Sequence, residues 1–187
     1  MNHDHNFSLS YSIQRAFSLI ELMIALAVLA ILLGLAAPAF QEMVLNHRQT
    51  SQLNQLIGSL ALARAEAIKR RQAVGICKSH DGQFCTHSGE WDQGWIVFAD
   101  NNDSRQREPD EALLASYSGS PQMTLRYGGF PSDNYVIYYP DGRSLGNGTF
   151  THCDSRSEAQ ARAVILARSG RVRSSDTRPN GDPLTCG

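Results

Sequence analysis

Residues Arg15 to Phe40 read RAFSLIELMIALAVLAILLGLAAPAF, and the reading of this stretch decides what the rest of the chain can be. From Phe17 to Phe40 the sole charge is Glu21, and the sole other polar side chain is Ser18. At ~1.5 Å of rise per residue a helix here is about 36 Å long, enough for a hydrocarbon core of about 30 Å. A buried helix of a soluble domain is the bland alternative; length and near-total apolarity count against it. A secretory signal peptide cut near Ala37-Pro38-Ala39 is a second alternative. Its apolar region would be too long, and Asp4 offsets Arg15, so the positive charge ahead of it is weak.

Glu21 decides among these readings. A charge in the apolar part of a membrane helix is unfavourable by about 2.5–3.5 kcal/mol on insertion scales, so such a residue normally has a partner. A cut between Ala16 and Phe17 supplies one, the new α-amino group of Phe17. It lies four residues away on the same helix, or beside the Glu21 of a neighbouring helix in an assembly. One event then accounts for the carboxylate, the break at Ala16 and the apolar run.

The same residues resemble the N-terminus of type IV prepilins, with processing just before the Phe and the Glu fifth in the mature chain. Members usually carry Gly before the cut, where this sequence has Ala16. Pro38 also matches; in that family it lets the membrane helix bend, as the loss of an intrahelical hydrogen bond allows. The resemblance implies a leader at 1–16 and a transmembrane and assembly helix at 17–44. A globular pilin domain at 45–187 follows, with a helix over 45–72 and a β-rich part over 73–187. It implies a prepilin peptidase and other pilins with their assembly machinery as partners. It also implies a single-pass inner-membrane protein of a Gram-negative bacterium, with a periplasmic domain that later joins an extracellular pilus.

Leu53, Leu56, Ile57, Leu60, Ala61, Ala67 and Ile68 share one helical face, and Glu66 precedes Arg70 by four. This stripe predicts packing on the globular part. Val74-Gly75-Ile76 then switches to a strand. GWIVFAD (Gly94–Asp100), ALLASYS (Ala112–Ser118), MTLRYG (Met123–Gly128), NYVIYY (Asn134–Tyr139), TFTHC (Thr149–Cys153) and RAVILA (Arg162–Ala167) are short β-branched or aromatic runs divided by Gly, Pro, Asn and Asp. The expected class is α+β, a long N-terminal helix laid on an antiparallel β-sandwich or two small sheets. ARAEAIKRRQAVGIC, GWIVFADNND and AVILARSGRVR resemble the FimT and FimU minor pilins, relatives of the GspH pseudopilins. That resemblance implies a low-copy pilus component near the tip.

Other chemistry is weakly signalled. Gly142-Arg143-Ser144-Leu145-Gly146 has the G-x-S-x-G pattern of a nucleophile elbow, which needs a strand before it and a helix after it. NGTF follows instead, so a β-turn is expected and no enzyme. Asp100-Asn101-Asn102-Asp103 offers oxygen ligands that calcium would accept; no EF-hand spacing or closing Glu is read after it, so a self-contained polar loop is the expectation. His47, His80, His87 and His152 lack metal-site spacing, and His3 and His5 lie in the leader. No metal or cofactor is expected. Trp95 heads a strand and reads as core; Trp91, in a turn, reads either way.

The chain's 187 residues carry 17 Lys and Arg, 18 Asp and Glu, and four cysteines. Net charge therefore points to no partner, and the cysteines suit an exported domain with two staples. No C-x-x-C pair favours zinc. Of three possible pairings, proximity favours Cys77 with Cys85, leaving Cys153 with Cys186 to clamp the C-terminal tail. Within that clamp lie Arg156, Arg162, Arg168, Arg171, Arg173 and Arg178 against Asp154, Glu158, Asp176 and Asp182, a local excess of positive charge in an otherwise acidic chain. Ser169-Gly170-Arg171-Val172-Arg173 reads as a turn entering a strand, with Arg171 and Arg173 on one face. A solvated edge that deters aggregation is one reading. Phosphate binding by forked guanidiniums is the other. In FimT-like proteins a resembling GRxR motif is associated with DNA capture in natural transformation. The resemblance carries that role to Gly170, Arg171 and Arg173, with Arg168 and Arg178 as helpers and double-stranded DNA as the partner. A structural minor pilin or type II secretion pseudopilin that primes assembly is the alternative.

Overall fold

A computed structural model describes residues 18–120, 123–156 and 158–186. Ala16 and Phe17, the proposed processing site, lie outside the described residues. Helix α1 (Leu19–Arg70) is followed by β1 (Ala73–Lys78), β2 (Gly94–Asp100), β3 (Leu113–Ser118), β4 (Thr124–Phe130), β5 (Tyr135–Tyr138), β6 (Asn147–Cys153), β7 (Arg162–Leu166) and β8 (Val172–Ser175). Two compact units divide the chain, residues 1–43 and 44–187.

In the first unit the helix is continuous from Leu19 and its apolar side chains stand exposed, among them Leu22, Ile24, Leu29, Leu33 and Phe40. The stretch is long and apolar enough to cross a membrane, and none of its most apolar window is buried. Such a surface is stable in hydrocarbon or against other apolar helices, not in water.

The second unit holds two four-stranded antiparallel sheets, ordered β3-β2-β1-β5 and β4-β6-β7-β8. This is the expected long helix with two small sheets. Leu53, Leu56, Leu60, Ala63 and Ala67 of α1 form a buried ridge against Val74, Ile76, Trp95 and Val97 of the first sheet. The same ridge meets Leu125, Tyr127, Phe150, Val164 and Leu166 of the second. The alternating three- and four-residue spacing keeps the ridge on one side of a 3.6-residue helix.

The sequence placed Ala61 and Ile68 on that face. Both are exposed, and Ser59 and Ala63 are buried instead. Ser59 is tolerated there because its hydroxyl donates to the Gln55 carbonyl and accepts the Trp95 indole N–H at 2.8 Å. Trp91 is core: it lies in a 3-10 turn (Trp91–Gln93), donates to the Asp133 carbonyl and meets Tyr127 and Phe150 edge-on.

Cys77 is bonded to Cys85, and Cys153 to Cys186. The second bond draws the tail over the outer face of the second sheet, where Leu184 packs on Ala161, Ala163 and Ile165. Closing its 33-residue loop stabilises by about 3–4 kcal/mol in a chain-entropy account.

Candidate nucleic-acid interface

Strands β7 and β8 pair with Leu166 opposite Val172 and Ile165 opposite Arg173. The turn between them closes through Gly170 N–H to the Ala167 carbonyl and Ala167 N–H to the Arg171 carbonyl. Gly170 has φ +76°, and a Cβ placed on it would stand 2.0 Å from the Gly142 carbonyl oxygen. Only glycine satisfies both conditions. Gly170 thus contributes through backbone shape. Val172 turns inward onto the core, while Arg171 and Arg173 are exposed. Neither guanidinium has a hydrogen-bond or ion-pair partner among the described residues. Arg168, on the same turn, lies 6.0 Å over the Phe130 ring.

The hairpin is braced by its surroundings. Ser144 N–H donates to the Arg168 carbonyl, and Arg64 of α1 reaches the Ser169 carbonyl at 3.4 Å. Ser144 is the serine of the G-x-S-x-G pattern. It is buried, its hydroxyl donates to the Gly146 and Ala167 carbonyls, and strand β6 follows rather than a helix. Its position is that of a pin between two turns.

The remaining arginines divide. Arg156 grips the buried Asp154 carboxylate and reaches Asn46 of α1, and its hydrogen bond holds the Asp154 carboxyl below the usual range. Arg162 donates to the Ala161 carbonyl. Arg178 sits on the clamped tail, where it bonds Thr185 and shares a hollow with Arg126 of β4. Arg126 is the residue sequence reasoning missed. Its period-two position in MTLRYG already marked it as opposite to Leu125 and Tyr127, but not which strands it would neighbour.

The 100–103 loop requires a correction. It is not self-contained, because Glu111, twelfth counting from Asp100, folds back onto it. Glu111 accepts from the backbone N–H groups of Asn101 and Glu108, and Asp100 from those of Ser104 and Arg105. Burial pushes the Asp100 carboxyl up, and the neighbouring Glu111 and Asp103 charges add to this. Four loop amides thus surround two buried carboxylates. No group of three His, Cys, Asp or Glu able to hold a metal occurs among the described residues.

His152 is fully buried between Gln52, whose side-chain oxygen is 2.8 Å from Nε2, and Gln49, whose amide faces Nδ1. The Gln49 amide also donates to the Gln160 carbonyl, which fixes it as a donor toward His152. That arrangement takes a neutral ring with its proton on Nε2. Desolvation lowers the His152 pKa, opposed by Asp154 and assisted by Arg156. The unfolded chain binds a proton below about pH 6.5 that the native ring resists. Stability from this site is therefore present above about pH 6.5 and declines as pH falls toward the lowered native value. Denaturant midpoints at pH 7.5 and 5.5 should differ more for the parent than for His152→Gln; equal differences would remove the buried ring from the account.

The description "Type II transport protein GspH" belongs to a family model that matches residues 52–170, and the prokaryotic N-terminal methylation motif matches residues 11–37. Pilin-like protein PilA1 of Thermus thermophilus is 31% identical over 106 residues, which span 57% of this chain and 61% of that protein. Among solved structures, the type IV minor pilin FimU of Pseudomonas aeruginosa superimposes with a TM-score of 0.55 at 18% identity, covering 70% of this chain and 90% of that one. A second crystal form gives 0.50 at 19% identity, covering 67% and 91%. These likenesses carry the fold: one long helix with two antiparallel sheets. With the GspH model spanning most of the two sheets and the methylation motif on an apolar helix, the chain belongs to the GspH family and is a membrane-anchored, pilin-like subunit of the minor pilin and pseudopilin kind.

Proposed function

We propose that this minor pilin binds extracellular double-stranded DNA without sequence preference, for uptake in natural transformation. The observation that supports it most is the pair Arg171 and Arg173, exposed, without a side-chain partner among the described residues, and on one face of a glycine-dependent turn. Two adjacent guanidiniums repel each other unless an anion lies between them, and their forked donors suit phosphate. Arg168 and Arg178 assist. Phosphate contacts position a protein on DNA without reading bases. In the same reading a prepilin peptidase cuts between Ala16 and Phe17. The subunit waits in the inner membrane with its domain in the periplasm, and then enters a pilus with other pilins. The second reading, a structural minor pilin or secretion pseudopilin that primes assembly, draws on the GspH match itself.

A titration of the full chain in uncharged detergent with duplex DNA separates the two. If two to four phosphates are neutralised, log affinity falls with log salt at a slope of about −2 to −4. Changing both Arg171 and Arg173 to Gln keeps long polar side chains at exposed positions, so stability barely moves. The slope should shrink by about 2 units, and uptake of external DNA should collapse while pili still form. Lys at both positions should retain part of the binding, because charge survives without the planar fork. A double Gln variant that binds and transforms like the parent leaves the arginines as a solvated edge and gives the structural reading the better case.

A further inference from the structure

The outer face of the second sheet joins the arginine hairpin to a second cationic site. In β4 Thr124, Arg126 and Gly128 point outward, while Leu125 and Tyr127 point into the core. Register places Arg126 opposite Thr151 and Gly128 opposite Thr149 on β6. The clamped tail rises on the other side of these residues. Between them lies a hollow of about 490 Å³ whose lining includes Arg126, Thr149, Thr151 and Arg178, together with the acidic side chains of Glu90 and Asp133. A second hollow, about 340 Å³, shares Thr149 and Pro179 with the first and continues along Asn147 and Gly148 to Arg168. The two form one open groove with β6 as its floor. Cationic side chains stand at both ends.

The dimensions suit one strand of a duplex. From Thr151 to Asn147 the floor runs four residues, about 14 Å at ~3.4 Å per residue. One strand of B-DNA carries a phosphate per ~3.4 Å of helix axis, so the groove spans the axial rise of about four nucleotides. The floor offers threonine hydroxyls, which donate to phosphate oxygens, and Gly128 leaves it open, since a Cβ there would meet nothing within 4 Å. Neither end is saturated. Arg126 donates through Nη1 to the Cys186 carbonyl, and its Nε stands 3.7 Å from Glu90, a loose and half-exposed pair. The Cys186 contact is held by the bond to Cys153, so the tail disulfide sets the position of Arg126 as well as that of Arg178.

We propose that this groove is a second phosphate-binding site, in which Arg126 and Arg178 receive the sugar–phosphate backbone of a strand whose neighbouring phosphates sit at Arg168 and Arg171. This rests on the DNA-binding reading above and extends it from a two-arginine contact to a track across the sheet. Glu90 then acts against binding: it competes for Arg126 and repels the strand.

Duplex DNA titrated into the full chain in uncharged detergent, across 50–200 mM salt, tests the track with two substitutions of opposite sign. Arg126→Gln should reduce the salt slope by about 1. The parent should accordingly lose about 3.5-fold more affinity than this variant over that fourfold salt range. Glu90→Gln should tighten binding at low salt, and the gain should shrink when combined with Arg126→Gln, which leaves only the relief of direct repulsion. If both single variants bind like the parent while the Arg171 and Arg173 double Gln variant does not, the track is overturned and the hairpin reading stands. If the parent binds no DNA, the DNA-binding reading fails first and the track with it. Unchanged far-UV circular dichroism for both exposed substitutions keeps a folding defect from imitating either result.

Discussion

Gly170→Val should destabilise the domain by roughly 2–4 kcal/mol and, on the DNA-binding reading proposed above, abolish duplex binding with it. Two independent costs meet at this residue. The left-handed φ of +76° is worth about 1–3 kcal/mol of strain for a residue with a Cβ, and a β-branched side chain stands at the upper end. The second cost is the Gly142 carbonyl oxygen, 2.0 Å from where that Cβ would sit. A backbone oxygen cannot swing away as a side chain can, so the turns at Gly142 and Gly170 must separate. Separation breaks the Ser144 to Arg168 hydrogen bond and the contact of the Ser144 hydroxyl with the Ala167 carbonyl. Gly142→Ala is the internal control. Its φ is also +77°, but the added Cβ meets the ends of Ile68 and Arg64 at 3.1 and 3.3 Å, both able to shift. It should cost about 1 kcal/mol. Urea unfolding of the three proteins measures the order. A Gly170→Val protein as stable as the parent would mean that the turn is not seated on Gly142. The contrast with the Arg171 and Arg173 double Gln variant is informative. Both should lose DNA binding, one with stability and one without.

This difference also marks what a sequence can announce. A glycine before alternating arginines in SGRVR is enough to read a turn and a strand face, because both follow from local backbone sterics. That the turn packs on a second glycine turn nearly thirty residues earlier is a tertiary fact, and no local pattern encodes it. The strands show the same division. GWIVFAD and NYVIYY were legible as strands from their β-branched and aromatic runs. Their sheet was not, because period two fixes the face of a residue and not its neighbour across the ladder. Strand β4 enters the second sheet, and the next strand, β5, returns to the first beside β1, an order that short loops alone do not predict.

The helix failed in a related way. Apolar residues at helical spacing marked a stripe through Leu53, Leu56 and Leu60, but alanines carry too little apolar weight to fix its edges. Ala63 went inward and Ala61 outward, as the packing of two sheets against one helix required. Arg126 was hidden because it matters through partners distant in sequence. Glu111 at the twelfth position from Asp100 was visible to anyone counting past the polar run.

Glu21→Ala should insert into the membrane as well as the parent or better, yet incorporation into pili, on the proposed pilin reading, should fall by roughly 10²–10⁴-fold. Insertion depends on the helix meeting lipid, and removal of a carboxylate relieves about 2.5–3.5 kcal/mol of unfavourable transfer. Assembly depends on what the carboxylate meets afterwards. Glu21 lies in the first turn of α1, which Leu22 N–H closes onto the Ser18 carbonyl. A negative charge there is already favoured by the helix N-terminus. If the chain begins at Phe17, its α-amino group needs a counter-charge once helices pack and water leaves. Removing one member of a buried pair leaves the other uncompensated, at a cost of about 3–5 kcal/mol. Glu21→Gln keeps an acceptor for the ammonium group and should fall between alanine and the parent. Immunoblots of sheared pili and membrane fractions give the ratio. The mass of the N-terminal peptide from the same membranes checks the premise, with cleavage after Ala16 and a chain beginning at N-methylated Phe17 expected. A mature chain beginning near Phe40 would restore the signal-peptide reading. Normal incorporation of Glu21→Ala, with Phe17 at the N-terminus, would show that the ammonium group finds its acceptor elsewhere, and the carboxylate would again be a charge in an apolar helix without a reason.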